Sequence, residues 1–156
     1  MYVIPKPQEL KYQEGQYILA HQGCIILAPE CAGKSFSHAK LLQKELEKLL
    51  GYSLVITRGD REAGGIYFES TDSLKPEEYL LRINENGISL QGGSEKAILY
   101  GIQTLRQIIA QEGACLPYLT IRDYPDMENR GYYLDATRGR IPTLGYLKSF
   151  ADKLSF

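Results

Sequence analysis

Over residues 1–126 two stretches set apolar residues at the period of a helix, and every other apolar run there is short, rich in β-formers and bounded by turn residues. That alternation constrains the fold more than any other feature. From Ser35 to Leu50, Phe36, Ala39, Leu42, Leu46, Leu49 and Leu50 fall at i, i+3 and i+4 spacings, Lys40, Lys44, Glu45, Glu47 and Lys48 fill the opposite side, and Gly51 supplies a stop. The second helix runs from about Ser94 to Ala110, with Ile98, Gly101, Ile102, Leu105, Ile108 and Ile109 on one face and Ser94 as N-cap. Strand-like runs surround them: Gln16–Ala20, Cys24–Ala28, Leu54–Thr57, Gly65–Glu69, Tyr79–Ile83, Ile88–Leu90 and Leu116–Arg122. Asn84-Glu85-Asn86-Gly87 joins two of these as a hairpin, because an Asn-Gly step suits positive φ. Residues 1–13 read as extended, since Pro5 and Pro7 disfavour helix in the residues before them. The order predicts an α+β layer: an antiparallel or mixed sheet with two helices on one face.

Residues 127–156 read as a different unit. Arg130–Asp135 is strand-like, Ala136–Pro142 a polar turn, and Thr143–Phe156 helical with Leu144, Leu147, Phe150, Ala151 and Leu154 on one side. A lone strand and helix cannot bury both their apolar faces, so the expectation is a chain cut inside a βα repeat of a larger fold. The stripe is expected to lie against the chain's own sheet or against a second copy, and a homodimer through the 143–156 helix is the favoured route.

Apolar residues make up 44% of the chain and charged residues 24%, enough for a packed core. Lys+Arg 18 against Asp+Glu 19 leaves a net charge of −1, without the basic footprint a nucleic-acid surface needs. No apolar run approaches the roughly 20 residues that span a membrane, and no signal peptide is visible at the start, so a cytoplasmic protein is expected. Three cysteines are too few for a disulfide scaffold and fit a reducing compartment.

Ala28-Pro29-Glu30-Cys31-Ala32-Gly33-Lys34-Ser35 nearly spells a phosphate-binding loop, but its first glycine is Ala28, Pro29 lacks a donor and Glu30 puts negative charge where phosphate would sit. It reads as a βα turn with Ser35 as a cap. His21, Cys24, Cys31 and His38 match none of the tight pairs of structural zinc sites, and no metal or cofactor is expected. Twelve tyrosines and no tryptophan suit amphipathic cover on sheet faces, with a sugar-lining role as the other reading.

The informative cluster is Arg130-Gly131-Tyr132-Tyr133-Leu134-Asp135-Ala136-Thr137-Arg138. If Tyr132–Asp135 is the first strand of a βα barrel, Asp135 and Arg138 lie at its C-terminal end, where barrel active sites are built. An arginine there offers a rigid fork of donors to adjacent oxygens; the plainer reading is an Arg–Asp pair that fixes the loop.

This cluster resembles the start of the catalytic barrel in family 20 glycoside hydrolases, the β-N-acetylhexosaminidases, which read Arg-Gly-x-x-x-Asp-x-x-Arg, as Arg130-Gly131, Asp135 and Arg138 do. Tyr100-Gly101-Ile102-Gln103-Thr104-Leu105-Arg106-Gln107 is similar to the family's Tyr-Gly-x-Gln-Thr-Leu segment, and Ile4-Pro5-Lys6-Pro7 to its opening. The resemblance implies a non-catalytic α+β domain over residues 1–126 and a truncated first βα unit of a TIM barrel, a (β/α)8 catalytic domain, over 127–156. It implies that Arg138 holds the outer hydroxyls of a terminal N-acetylhexosamine, with Asp135 and Arg130 in support. The family's usual histidine after that arginine is Gly139 here.

The family's chemistry needs an adjacent Asp-Glu pair: the Glu protonates the leaving oxygen, and the Asp orients the substrate's own acetamido group as nucleophile. No Asp-Glu dipeptide occurs in these 156 residues, so no catalytic residue is assigned. The resemblance therefore implies an N-terminal fragment, itself inactive, of a retaining exo-β-N-acetylhexosaminidase. The competing readings are a non-catalytic accessory or carbohydrate-binding module, and a parent that keeps the fold without the chemistry.

Overall fold

Seven strands and two helices, counted among the described residues, build the first of two units, Met1–Pro125 and Asp126–Phe156. The structure is a computed structural model that describes residues 1–31, 33–135, 139 and 141–154. In chain order the elements of the first unit are β1 (Glu9–Ile18), β2 (Cys24–Leu27), α1 (Gly33–Leu50), β3 (Val55–Arg58), β4 (Gly65–Ser70), β5 (Tyr79–Asn84), β6 (Gly87–Gly92), α2 (Glu95–Glu112) and β7 (Cys115–Asp123).

The strands form one mixed sheet in the order β1-β7-β5-β6-β4-β2-β3. β3, β2, β4 and β6 run parallel, while β5 is antiparallel to both β6 and β7, and β1 is antiparallel to β7. The register lines up the apolar residues in rows. Ile25, Ile66, Ile88, Ile83 and Leu119 are successive neighbours across five strands, and Leu27, Phe68, Leu90, Leu81 and Ile121 form the next row; each is at most 1% exposed. Each such burial contributes about 1.5–3 kcal/mol. The opposite face is mixed: Ile26 and Leu80 lie on it beside a polar chain in which Arg82 Nη1 donates to Gln91 Oε1 (3.0 Å) and Gln91 Nε2 donates to Glu69 Oε2 (2.6 Å).

Both helices lie on the apolar face and touch each other, joined by Arg106 Nε to Glu45 Oε2 at 3.5 Å. α1 crosses from β2 to the adjacent parallel strand β3, towards one edge, while α2 crosses from β6 over β5 to β7, towards the other. Two crossovers that run in opposite directions and keep their helices on one face have opposite hands. One of them is therefore left-handed, against the roughly 98% of such connections that are right-handed.

Local signals account for most boundaries. Ser94 caps α2 in extended conformation, its Oγ accepting from Ala97 N (3.3 Å). The hairpin forms as its sequence suggests, with Asn86 N donating to Asn84 Oδ1 (3.0 Å). A side-chain carbon at Gly101 would fall 2.2 Å from Leu90 Cδ1 and 3.1 Å from Tyr79 Cδ2, so the missing side chain lets α2 settle onto β5 and β6. In α1 the buried residues are Ser35, Ala39, Leu42 and Leu46, whereas Phe36 and Leu49 stay exposed despite their place in the periodic pattern. α1 covers only the short strands at one end of the sheet, and the Lys40 ammonium sits over the Phe36 ring, 4.9 Å from its centre.

β1 begins earlier than its local pattern indicates. Residues from Glu9 to Tyr12 pair with β7, a register shift follows, and Gln16–Ile18 pair again. It is an edge strand with most side chains in solvent, so pairing with a partner about a hundred residues away decides its conformation.

The second unit contains α3 (Leu144–Leu154). Thr143 caps it, its Oγ1 accepting from Tyr146 N (3.2 Å) and its carbonyl from Leu147 N (3.0 Å). Tyr146 stacks on Phe150 at 6.0 Å, and Tyr132 meets Phe150 edge-on at 5.1 Å. Arg130–Asp135 is not a strand in this structure, contrary to its sequence pattern. A strand needs a hydrogen-bonded neighbour, and among its described residues this unit has none.

Candidate functional site

Of the three side chains that the sequence singles out, Arg138 lies outside the described residues. Arg130 Nη1 donates to the carbonyl of Met127, and Asp135 is exposed. Gly139 takes φ +93°, a backbone setting where glycine is at ease and a histidine would be strained.

The phosphate-loop look-alike is wired for the opposite charge. Arg58 Nη1 donates to the carbonyls of Pro29 (2.9 Å) and Cys31 (2.7 Å), and more distantly to that of Ala28 (3.3 Å). At the start of α1 the N–H of Lys34 is already taken by Glu95 Oε1 at 3.0 Å. The loop thus turns carbonyl oxygens towards a resident cation rather than N–H groups towards an anion. Of the four metal candidates, Cys31 is buried with its thiol directed at the Phe68 carbonyl (3.3 Å), and burial pushes its pKa up. Burial pushes His38 down, with the Glu95 carboxylate partly opposing, and its Nδ1 is enclosed without a hydrogen-bond partner. Among the described residues no group of three or more His, Cys, Asp or Glu is placed to hold a metal.

A polar cluster stands where β7 ends. The Tyr79 hydroxyl, 1% exposed as a residue, bonds Thr104 Oγ1 (2.6 Å) and donates to Asp123 Oδ2 (3.1 Å). Burial, chiefly, raises the Tyr79 pKa far above its ordinary value, so the hydroxyl keeps its proton. Asp123 Oδ1 accepts from the Gln8 N–H (3.1 Å). Beside it, Glu78 accepts from the Lys75 N–H (3.0 Å) and from Arg122 Nε (2.5 Å). The Glu78 carboxylate is covered but lies close under the surface. Burial pushes its pKa up, and the Lys75 N–H and the Arg122 guanidinium outweigh that and hold it below the usual range.

The opening motif at Ile4–Pro7 and the Tyr100–Gln107 motif meet in space. Gln107 Oε1 accepts from Ile4 N (2.9 Å) while its Nε2 donates to the Ile4 carbonyl (2.8 Å). Gln111 does the same for Tyr2, at 3.0 and 2.7 Å. Thr104, Leu105, Arg106 and Gln107 therefore serve packing: Thr104 binds Tyr79, Leu105 fills the core, Arg106 reaches α1, and Gln107 holds the N-terminal segment. Asp123 and Gln111 were not legible as anchors of the N-terminal segment, because the backbone groups they hold, on Gln8 and Tyr2, lie more than a hundred residues away in sequence.

The profile described as Glycosyl hydrolase family 20, domain 2, matches residues 1–124. The chain belongs to glycosyl hydrolase family 20. The β-hexosaminidase of Porphyromonas gingivalis is 29% identical over 148 residues, covering 87% of this chain and 19% of the relative. That of Vibrio furnissii is 27% identical over 138 residues, covering 87% and 21%. The chain thus spans about a fifth of the length of these curated relatives. Among solved structures, the family 20 exo-β-N-acetylglucosaminidase of Vibrio harveyi superposes with a TM-score of 0.79 at 22% identity, covering 97% of this chain and 23% of that one. The β-N-acetylhexosaminidase of Streptomyces coelicolor gives 0.78 at 22%, covering 98% and 32%. These likenesses establish the fold, and residues 1–124 are a family 20 N-terminal α+β domain of mixed-sheet type. No helix among the described residues is long and apolar enough to cross a membrane.

Proposed function

We propose that this chain is the N-terminal part of an exo-β-N-acetylhexosaminidase that removes terminal β-linked N-acetylhexosamine with retention, using the substrate's acetamido group as nucleophile. The family match over residues 1–124 carries this reading. The Arg130-Gly131, Asp135 and Arg138 pattern that follows supports residues 127–156 as the first βα unit of the catalytic barrel. In this reading Arg138 grips the outer hydroxyls of the sugar, and Asp135 and Arg130 position the loop that carries it. The acid and the acetamido-orienting carboxylate come from further along the parent chain, because these 156 residues hold no adjacent Asp-Glu pair. Residues 1–156 alone are then inactive.

The test is hydrolysis of an aryl β-N-acetylglucosaminide by the parent protein and by residues 1–156. Turnover is expected from the parent alone. Charge-assisted hydrogen bonds from one arginine are worth about 1.5–3 kcal/mol each. Arg138→Ala in the parent should therefore lower kcat/KM by about tenfold or more. Hydrolysis by the 156 residues, or unchanged kinetics in that variant, overturns the assignment.

A further inference from the structure

The segment before β1 is held at two ends by different chemistry. Along α2 a rise of about 1.5 Å per residue sets Gln107 and Gln111 about 6 Å apart. Along an extended chain about 3.3 Å per residue sets Tyr2 and Ile4 about 6.6 Å apart. The two spacings match, and each glutamine amide offers one acceptor and one donor to the N–H and C=O of a single residue. This flank of α2 therefore imitates the edge of a strand. Val3, between the two clamped residues, is 9% exposed and joins the core. At the far end the Gln8 N–H is fixed by Asp123, whose other oxygen is tied to Tyr79 and through it to Thr104 of α2. Between the ends lie Pro5, Lys6 and Pro7; the prolines fix φ, and Pro7 is itself buried. A connection this stiff has little slack to let one end move while the other stays.

We propose that residues 2–8 form a strap whose two ends open and close together. Docking on the Gln107/Gln111 ladder and locking of the β7 exit at Asp123, where the chain leaves the domain, are then one cooperative event. The glutamines are positioning residues for an exit point on the far side of the strap.

Residue-resolved amide exchange on the 156-residue chain tests this. In the Gln107→Ala/Gln111→Ala variant the Ile4 amide should exchange at least tenfold faster, the Gln8 amide should accelerate by a comparable factor, and amides of β5 and β6 should not change. Coupling is reciprocal, so Asp123→Ala should accelerate Ile4 as well. Tyr79→Phe, which removes the other partner of Asp123 and leaves the Gln8 acceptor, should not. Acceleration at Ile4 with Gln8 unchanged means the ends fray independently and overturns the proposal. An unchanged Ile4 shows that the glutamines do not hold the strap, and acceleration reaching β5 and β6 shows that no separate strap exists; either result also overturns it.

Discussion

Helices α2 and α3 start with the same device and end in different surroundings. Ser94 and Thr143 each accept from the N–H three residues on, and each carbonyl takes the next N–H along. Both helices carry an apolar stripe at helical spacing. Yet α2 buries Ile98, Ile102, Leu105, Ile108 and Ile109, each at most 1% exposed, whereas none of the described residues of α3 is buried, and Leu144 and Leu154 are 68% and 56% exposed. Capping and periodicity specify a helix. Burial needs a partner surface, which the sheet's five-strand apolar rows give to α2. The aromatic contacts of Phe150 with Tyr132 and Tyr146 are local to the second unit and leave its aliphatic side chains in solvent.

The largest expected effect tests that contrast directly. Ile102→Ala removes a fully buried side chain from the seam between α2 and the sheet and should cost about 2–5 kcal/mol, as large-to-small core changes do. Leu147→Ala, at 38% exposure, should cost less than about 0.5 kcal/mol in the same chain. Urea unfolding of the two variants measures both. Equal losses would mean that the α3 stripe is covered in solution, by a second copy as its sequence pattern suggests. Concentration-dependent unfolding of the Leu147 variant would identify that copy.

The same contrast explains what was legible in the sequence. The hairpin at Asn84–Gly87, the Ser94 cap and both long helices rest on residues within a few positions of one another and formed where the pattern placed them, except that α1 begins at Gly33, so Ser35 lies inside the helix with its hydroxyl buried and unpartnered and is not the cap its pattern suggested. β1 was only partly legible because its pairing with β7 is long-range and its exposed side chains do not alternate. Nor does periodicity specify crossover hand, so the left-handed connection is invisible in a list of elements. Tyr132–Asp135 has the composition of a strand, but composition does not supply a neighbour. For the site, the motif Tyr100–Gln107 was legible as a family mark, while its physical work depends on contacts such as Gln107 with Ile4, 103 residues apart. The proposed sugar contact Arg138 rests on the motif alone.

Acid should narrow the stability gap between the two regions by weakening the first. His38 has a folded pKa below its ordinary 6.5, so the folded state resists its protonation; the stability tied to neutral His38 is present above 6.5 and is lost as pH falls through the folded value. Glu78 is likewise depressed, below its ordinary 4.5. Its contribution is intact above that value and is lost as pH falls through the folded pKa. The urea midpoint should therefore decline in two stages, gently below about 6.5 and again below about 4.5. Glu78→Gln, less stable at neutral pH, should lack the second stage. A Gln variant whose acid limb stays parallel to the parent's would move the acid sensitivity to another carboxylate.

The smallest effect isolates the shared device. Ser94→Ala leaves the Ala97 N–H without its acceptor and also removes the Ser94 hydroxyl from the Pro76 carbonyl. The expected cost is about 1 kcal/mol of global stability, the usual value of an N-cap. Thr143→Ala removes the same kind of bond, to Tyr146 N, from a helix whose described residues bury nothing. Its loss should appear as fewer helical residues by circular dichroism, with an unchanged urea midpoint, because α3 is not part of the cooperative core. Global unfolding reports a cap only where the helix it starts is packed, so the two alanine variants should separate by about 1 kcal/mol although the bonds deleted are alike. A shared midpoint shift would mean that α3 unfolds together with the sheet, and the division of the chain into a packed and an unpacked helix would fail.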